Sequence, residues 1–91
     1  MDRKQKYIRL KQYDSIIIFP EVISHDTFKS LNQVMVSAGF CYINENSVSC
    51  FGESYSLGLQ SNPLVDSLQA TKQLFGIDAY LEMIEKNDAE G

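Results

Sequence analysis

From residue 34 the alternation of apolar and polar positions doubles back on itself: VMVSAGFCYI, then the polar Asn44-Glu45-Asn46-Ser47, then VSCF. Two β-forming runs around a short polar turn predict a hairpin. Pairing the runs about Glu45-Asn46 sets Ile43 opposite Val48, Tyr42 opposite Ser49, and Cys41 opposite Cys50. Upstream, Tyr7-Ile8-Arg9-Leu10 alternates, and Ile16-Ile17-Ile18-Phe19 is a β-branched run stopped by Pro20. Tyr13-Asp14 can turn the chain between them. Ser24 suits a helix N-cap, Asp26 suits the first turn, and Ile23 can staple onto Phe28, which predicts a short helix over about residues 25–32.

Beyond the hairpin, Tyr55, Leu57 and Leu59 alternate with Ser54, Ser56 and Gly58, which predicts a further strand with one apolar face. Asn62 as N-cap and Pro63 at the first helical position open a helix. Leu64, Leu68, Thr71 and Phe75 form its apolar stripe, widened by Val65 and Leu74, and Gly76 stops it. A last short helix opens at Asp78, with Ile77, Tyr80, Leu81 and Ile84 at helical spacing. The order ββ-α-βββ-α-α predicts an α+β fold: a small antiparallel sheet with helices packed on one face. Ninety-one residues make a single domain, 1–91, in which residues 1–5 and 86–91 are expected to be flexible ends. A chain of this size buries only roughly 60–65% of its unfolded surface, so its core is modest.

Charge is unevenly spread. Residues 1–12 carry five basic side chains against Asp2 alone, a net +4, and the rest of the chain carries −8. The basic start reads as a solvated arm or as one strand with outward charges. An acidic body repels a duplex, so nucleic acid is an unlikely partner. The longest apolar run, Ile16–Phe19, is four residues, far below the ~20 of a membrane helix. No apolar segment follows the charged start as in a signal peptide, and a soluble cytoplasmic protein is expected.

The residues available for chemistry are few. A single histidine, His25, rules out a site needing two imidazoles, and two cysteines rule out a Cys₄ zinc site. His25, Cys41 and Cys50 could supply three zinc ligands, but their spacing is not that of structural zinc, so neither metal nor cofactor is expected. No G-x-S-x-G, H-E-x-x-H, Walker or G-x-G-x-x-G sequence occurs, and an enzyme is not expected. In the hairpin register Cys41 and Cys50 form a non-hydrogen-bonded cross-strand pair, with Cα atoms ~4.5 Å apart. That geometry allows packed thiols or a disulfide. His25 is expected at an exposed first turn of a helix, where it is either a plain surface histidine or a base.

The stretch Gly52-Glu53-Ser54-Tyr55-Ser56-Leu57-Gly58 gathers glycine, hydroxyls, a carboxylate and a ring. It reads either as a bulged strand corner whose serines cap their own backbone, or as a binding segment. In the second reading Glu53, Ser54, Tyr55 and Ser56, with Asn62 at the next helix start and His25, form the ligand or partner site.

Ile-Phe-Pro at 18–20, His25, SAGF at 37–40, CFGESYSLGL at 50–59 and SNP leading to Asp66 resemble, over about residues 16–76, small uncharacterised proteins of phage and prophage gene sets. That resemblance implies an accessory role, often interference with a host or defence protein by stoichiometric binding. The expected function is therefore a non-enzymatic binding protein that occludes a host macromolecule through an acidic surface. A sequestering protein for a small polar or anionic ligand, and a self-assembling structural protein, are the alternatives. A protein partner and a homodimer are expected.

Overall fold

The structure is a computed structural model that describes residues 3–31 and 33–90, the side chains of 88–90 excepted. Strands β1 (Lys4–Leu10), β2 (Ile16–Pro20), β3 (Met35–Ile43) and β4 (Val48–Phe51) form one antiparallel sheet in the order β2-β1-β3-β4. Lys4 and Gln5, expected in a flexible end, belong to β1, while Met1 and Asp2 lie outside the described residues. The basic start is thus a central strand. Tyr13 and Asp14 take positive φ (64° and 50°) and reverse the chain between β1 and β2. β2 lies at the sheet edge, where the missing N–H of Pro20 breaks no ladder.

The β3–β4 hairpin has the register read from the sequence: Ile43 faces Val48, Tyr42 faces Ser49 and Cys41 faces Cys50. Asn44 N–H donates to the Ser47 carbonyl at 2.8 Å and closes the turn. Both thiols are free and buried. Burial pushes Cys41 up to about 11 and, with the neighbouring Cys41 and Asp66 adding to it, Cys50 up to about 12.

Two expected elements differ. His25–Ser30 is a 3-10 helix, since six residues are too few to repay α-helix nucleation. Ser24 is its N-cap, as its sequence suggests. The strand expected over 54–59 does not extend the sheet. Gly52, at φ 79°, turns the chain away after Phe51; the short strands β5 (Glu53–Ser54) and β6 (Leu59–Gln60) then form a separate hairpin closed by Gly58 at φ 65°. This hairpin packs against β3. At Gly39 the crossing is so tight that a Cβ would run into the Phe51 carbonyl.

Helix α1 (Pro63–Phe75) packs on one face of the sheet, and α2 (Ile77–Glu90) packs against α1. The core there is Tyr7, Ile16, Cys41, Val48, Cys50 and Ala70. The opposite face packs Ile8, Leu10, Phe19 and Ala38 beneath Ile23 and Phe28 of the 3-10 segment and Leu57 and Leu59 of the small hairpin. Residues 86–90, expected to be loose, continue α2, and Gly91 lies outside the described residues.

The apolar stripe expected on α1 is buried only in part, at Thr71 and, half-buried, at Leu68. Asp66, Ala70 and Thr71 are its buried residues, whereas Leu64, Val65, Leu74 and Phe75 are exposed. The cause is hydrogen bonding to the sheet edges. Val48 and Cys50 are non-hydrogen-bonded positions of the hairpin, so their N–H groups point away from β3. Thr71 Oγ1 accepts from Val48 at 2.9 Å and Ser67 Oγ from Cys50 at 2.8 Å. Four helical residues rise about 6.0 Å and two strand residues about 6.6 Å, so an i, i+4 pair matches an i, i+2 pair. On the other edge the Gln73 carboxamide accepts from Ile16 N–H (2.8 Å) and donates to Ile16 C=O (2.7 Å).

Candidate functional site

The Gly52–Gly58 segment separates two open grooves. The first, of about 680 Å³, lies between the β5–β6 hairpin, β3 and the start of α1. The second, of about 470 Å³, lies on the sheet face opposite the α-helices, with Lys4, Lys6, His25, Phe40 and Phe51 among its lining. Glu53, Ser54 and Tyr55 border both. Ser56 and His25 border only the second, and Asn62 only the first. Five of the six residues singled out in the sequence therefore meet at one groove.

A buried polar network lies behind the first groove. Asp66, with no exposed surface, accepts from the Tyr7 hydroxyl, from Ser37 Oγ at 2.9 Å and from the Asn62 N–H at 2.9 Å. Oδ1, the oxygen that accepts from Ser37, also faces Arg9 Nε at 2.7 Å. Arg9 also meets Asp14 at 2.9 Å. Asn62 is the N-cap of α1 but its side chain makes no capping bond; the Asp66 carboxylate receives the backbone N–H instead. Burial and the Asp66 carboxylate push the Tyr7 hydroxyl far above its ordinary 10.0. With Arg9 held by two carboxylates, this groove has little free positive charge.

The second groove is built on alternation. Lys4 and Lys6 share one face of β1, Phe40 and Tyr42 the same face of β3, and Phe51 that of β4. Tyr42 and Phe51 stack with centroids 5.3 Å apart at 18°, and Phe40 and Phe51 at 6.0 Å and 28°. Lys4 Nζ sits 4.9 Å from the Phe40 centroid and 2.8 Å from Glu21. Lys6 Nζ donates to the Ile23 carbonyl at 2.9 Å and pairs with no carboxylate among the described residues.

His25 is not the exposed histidine expected at a helix start. It is 4% exposed, its Nε2 N–H donates to the Gly39 carbonyl at 2.9 Å, and its ring stands edge-on to Phe19 and Phe40. Burial, reinforced by the Lys6 charge, holds its pKa below the usual 6.5, so it is neutral at pH 7. The sheet separates it from Cys41 and Cys50, which lie in the core on the helix side. Ser54 is also committed: its buried Oγ accepts from Leu57 N–H at 3.3 Å and lies 3.4 Å from Ser56 Oγ. The exposed Tyr55 hydroxyl is bonded to Glu53, which raises its pKa.

Lys4, Lys6, Phe40 and Phe51 were not among the sequence candidates for this groove, although the hairpin register read from the sequence already sets Phe40 opposite Phe51. What the sequence did not show is that β1 and β3 are neighbours.

A third feature lies on the helices. Leu64 (55% exposed) and Val65 (43%) at the start of α1 stand outside the core, as do Ile77 (52%) and Leu81 (50%) in α2, the latter two beside the exposed Asp78, Glu82 and Glu85 of the same helix. No helix among the described residues is long and apolar enough to cross a membrane. Comparison of the chain with protein-family models, curated proteins and solved structures finds no match.

Proposed function

We propose that this is a non-enzymatic binding protein that occludes a basic surface of a partner macromolecule with the outer face of its α1–α2 hairpin. The observation that carries this is the exposure of Ile77 and Leu81 beside Asp78, Glu82 and Glu85, all on α2. Apolar side chains concentrated on one element and flanked by like charges mark interaction surfaces. Their chemistry fits a partner with an apolar patch rimmed by Lys and Arg, as on a protein that binds nucleic acid. The resemblance to phage and prophage proteins supports a stoichiometric, accessory role of this kind.

A pull-down from host lysate at low and high salt tests the reading with two variants. Ile77→Ser with Leu81→Ser removes apolar contact, and Glu82→Gln with Glu85→Gln removes charge. All four positions are exposed, so each variant should keep its stability within about 0.5 kcal/mol per substitution. One partner should be retained by the native chain, lost by both variants and released by salt. Retention indifferent to salt overturns the role given to the acidic side chains. A dimer in native mass spectrometry that Ile77→Ser with Leu81→Ser abolishes would give this face to a second copy instead.

A further inference from the structure

We propose that the groove between Lys6, Phe51 and Ser56 binds a small planar anion: an aromatic or heteroaromatic ring carrying one phosphate or carboxylate, as in a mononucleotide. This site is separate from the α1–α2 face and does not depend on it.

The first support is an uncompensated charge. Lys6 is half-buried in the groove wall and meets no carboxylate among the described residues. An ammonium has three N–H donors, and the Ile23 carbonyl takes one. The groove therefore holds donors and positive charge that an anion can use.

The second support is the wall. Phe40, Phe51 and Tyr42 form a ladder of near-parallel rings across β3 and β4, on the face that the α-helices leave uncovered. Phe40 and Phe51 are only half-buried and both line the groove. Such a ladder takes a flat ligand by stacking, worth about 1–3 kcal/mol per base in proteins that hold single-stranded nucleic acid.

The shape agrees. Gly52 keeps the floor open, since a Cβ there would come within 3.1 Å of the Phe40 ring. Ser24 and Ser56 supply hydroxyls at the rim. A volume of about 470 Å³ lies in the ~300–1,000 Å³ range of small-molecule sites. Glu53 at the border and the −8 carried by residues 13–91 oppose a polyanion, which restricts the ligand to a small one.

Amide NMR titrations of the full chain test this, using adenosine monophosphate, benzoate, adenosine, inorganic phosphate and a short oligothymidylate as probes. Adenosine monophosphate or benzoate should give saturable shifts at Lys6, Phe40, Phe51 and Gly52; the tighter of the two identifies phosphate or carboxylate as the anion. Adenosine and phosphate, each lacking half of the chemistry, should bind at least roughly tenfold more weakly. Phe51→Leu and Lys6→Gln should each lose about tenfold in affinity, whereas Lys6→Arg retains it; the spectra themselves report whether each variant is folded. The proposal fails if neither ring-bearing anion shifts these amides at millimolar concentration. It also fails if phosphate alone matches adenosine monophosphate, or if Phe51→Leu binds normally. An oligothymidylate binding more tightly than the mononucleotide would overturn the restriction to a small ligand.

Discussion

At the scale of single residues, the polar groups that matter most are hidden. Asp66 gathers Tyr7, Arg9, Ser37 and the Asn62 backbone from three parts of the chain, and breaking a buried cluster of this kind costs more than its net contribution suggests. Tyr7→Phe, which leaves the carboxylate one donor short, should cost about 2 kcal/mol in urea unfolding. The same burial shapes the response to alkali. An unfolded chain loses thiol protons from 9.0 and tyrosine protons from 10.0, while the native state keeps those of Cys41 to about 11, Cys50 to about 12 and Tyr7 higher still. Above pH 9 the native state thus binds more protons, so stability present below that pH is lost as pH rises. Urea midpoints under reducing conditions should be level from pH 7 to 8.5 and fall by more than about 2 kcal/mol by pH 11. A level profile would contradict the buried positions of these groups. The Asp66 cluster was not legible beforehand: a sequence shows that Tyr7 and Asp66 exist, but not that the fold joins residues fifty-nine positions apart.

At the scale of elements, the central hairpin was legible and the docking of its neighbours was not. The Cys41–Cys50 register follows from alternation and one turn, both contained in ten residues, and the fold keeps it. The buried face of α1 could not be read the same way. Hydrophobic periodicity reports where apolar side chains repeat, and this helix docks through hydroxyls and an amide. Thr71→Val tests that effect, since it preserves shape and removes the hydroxyl that accepts from Val48 N–H and faces the Val48 carbonyl and Met83 sulfur. A cost of about 1–3 kcal/mol in thermal or urea unfolding is expected, with faster hydrogen exchange at Val48. An unchanged stability would mean that the helix is held by apolar contact alone. His25 shows the complementary case: its N-cap and dipole signals located the helix start, while the β3 carbonyl that buries it lies in another element.

At the scale of the molecule, sheet, helices and small hairpin are joined at few points, and Gly39 is the narrowest. There the chain leaving β4 passes directly against β3, which fixes the hairpin that borders both grooves. Gly39→Ala should therefore lower stability by about 2 kcal/mol or more and loosen residues 52–60 as a unit, as seen by hydrogen exchange. If exchange rises evenly throughout, the crossing is not a local clamp. The Gln73 amide has a different kind of consequence. It offers Ile16 the donor and acceptor that a neighbouring strand would offer, and it belongs to the last third of the chain. Because ribosomes build proteins from the N-terminus, the β2 edge emerges well before the side chain that closes it. Until that glutamine arrives, the newborn sheet offers its open margin to whatever nascent strand lies nearest, so timing of synthesis, as much as final stability, governs how safely this protein is made.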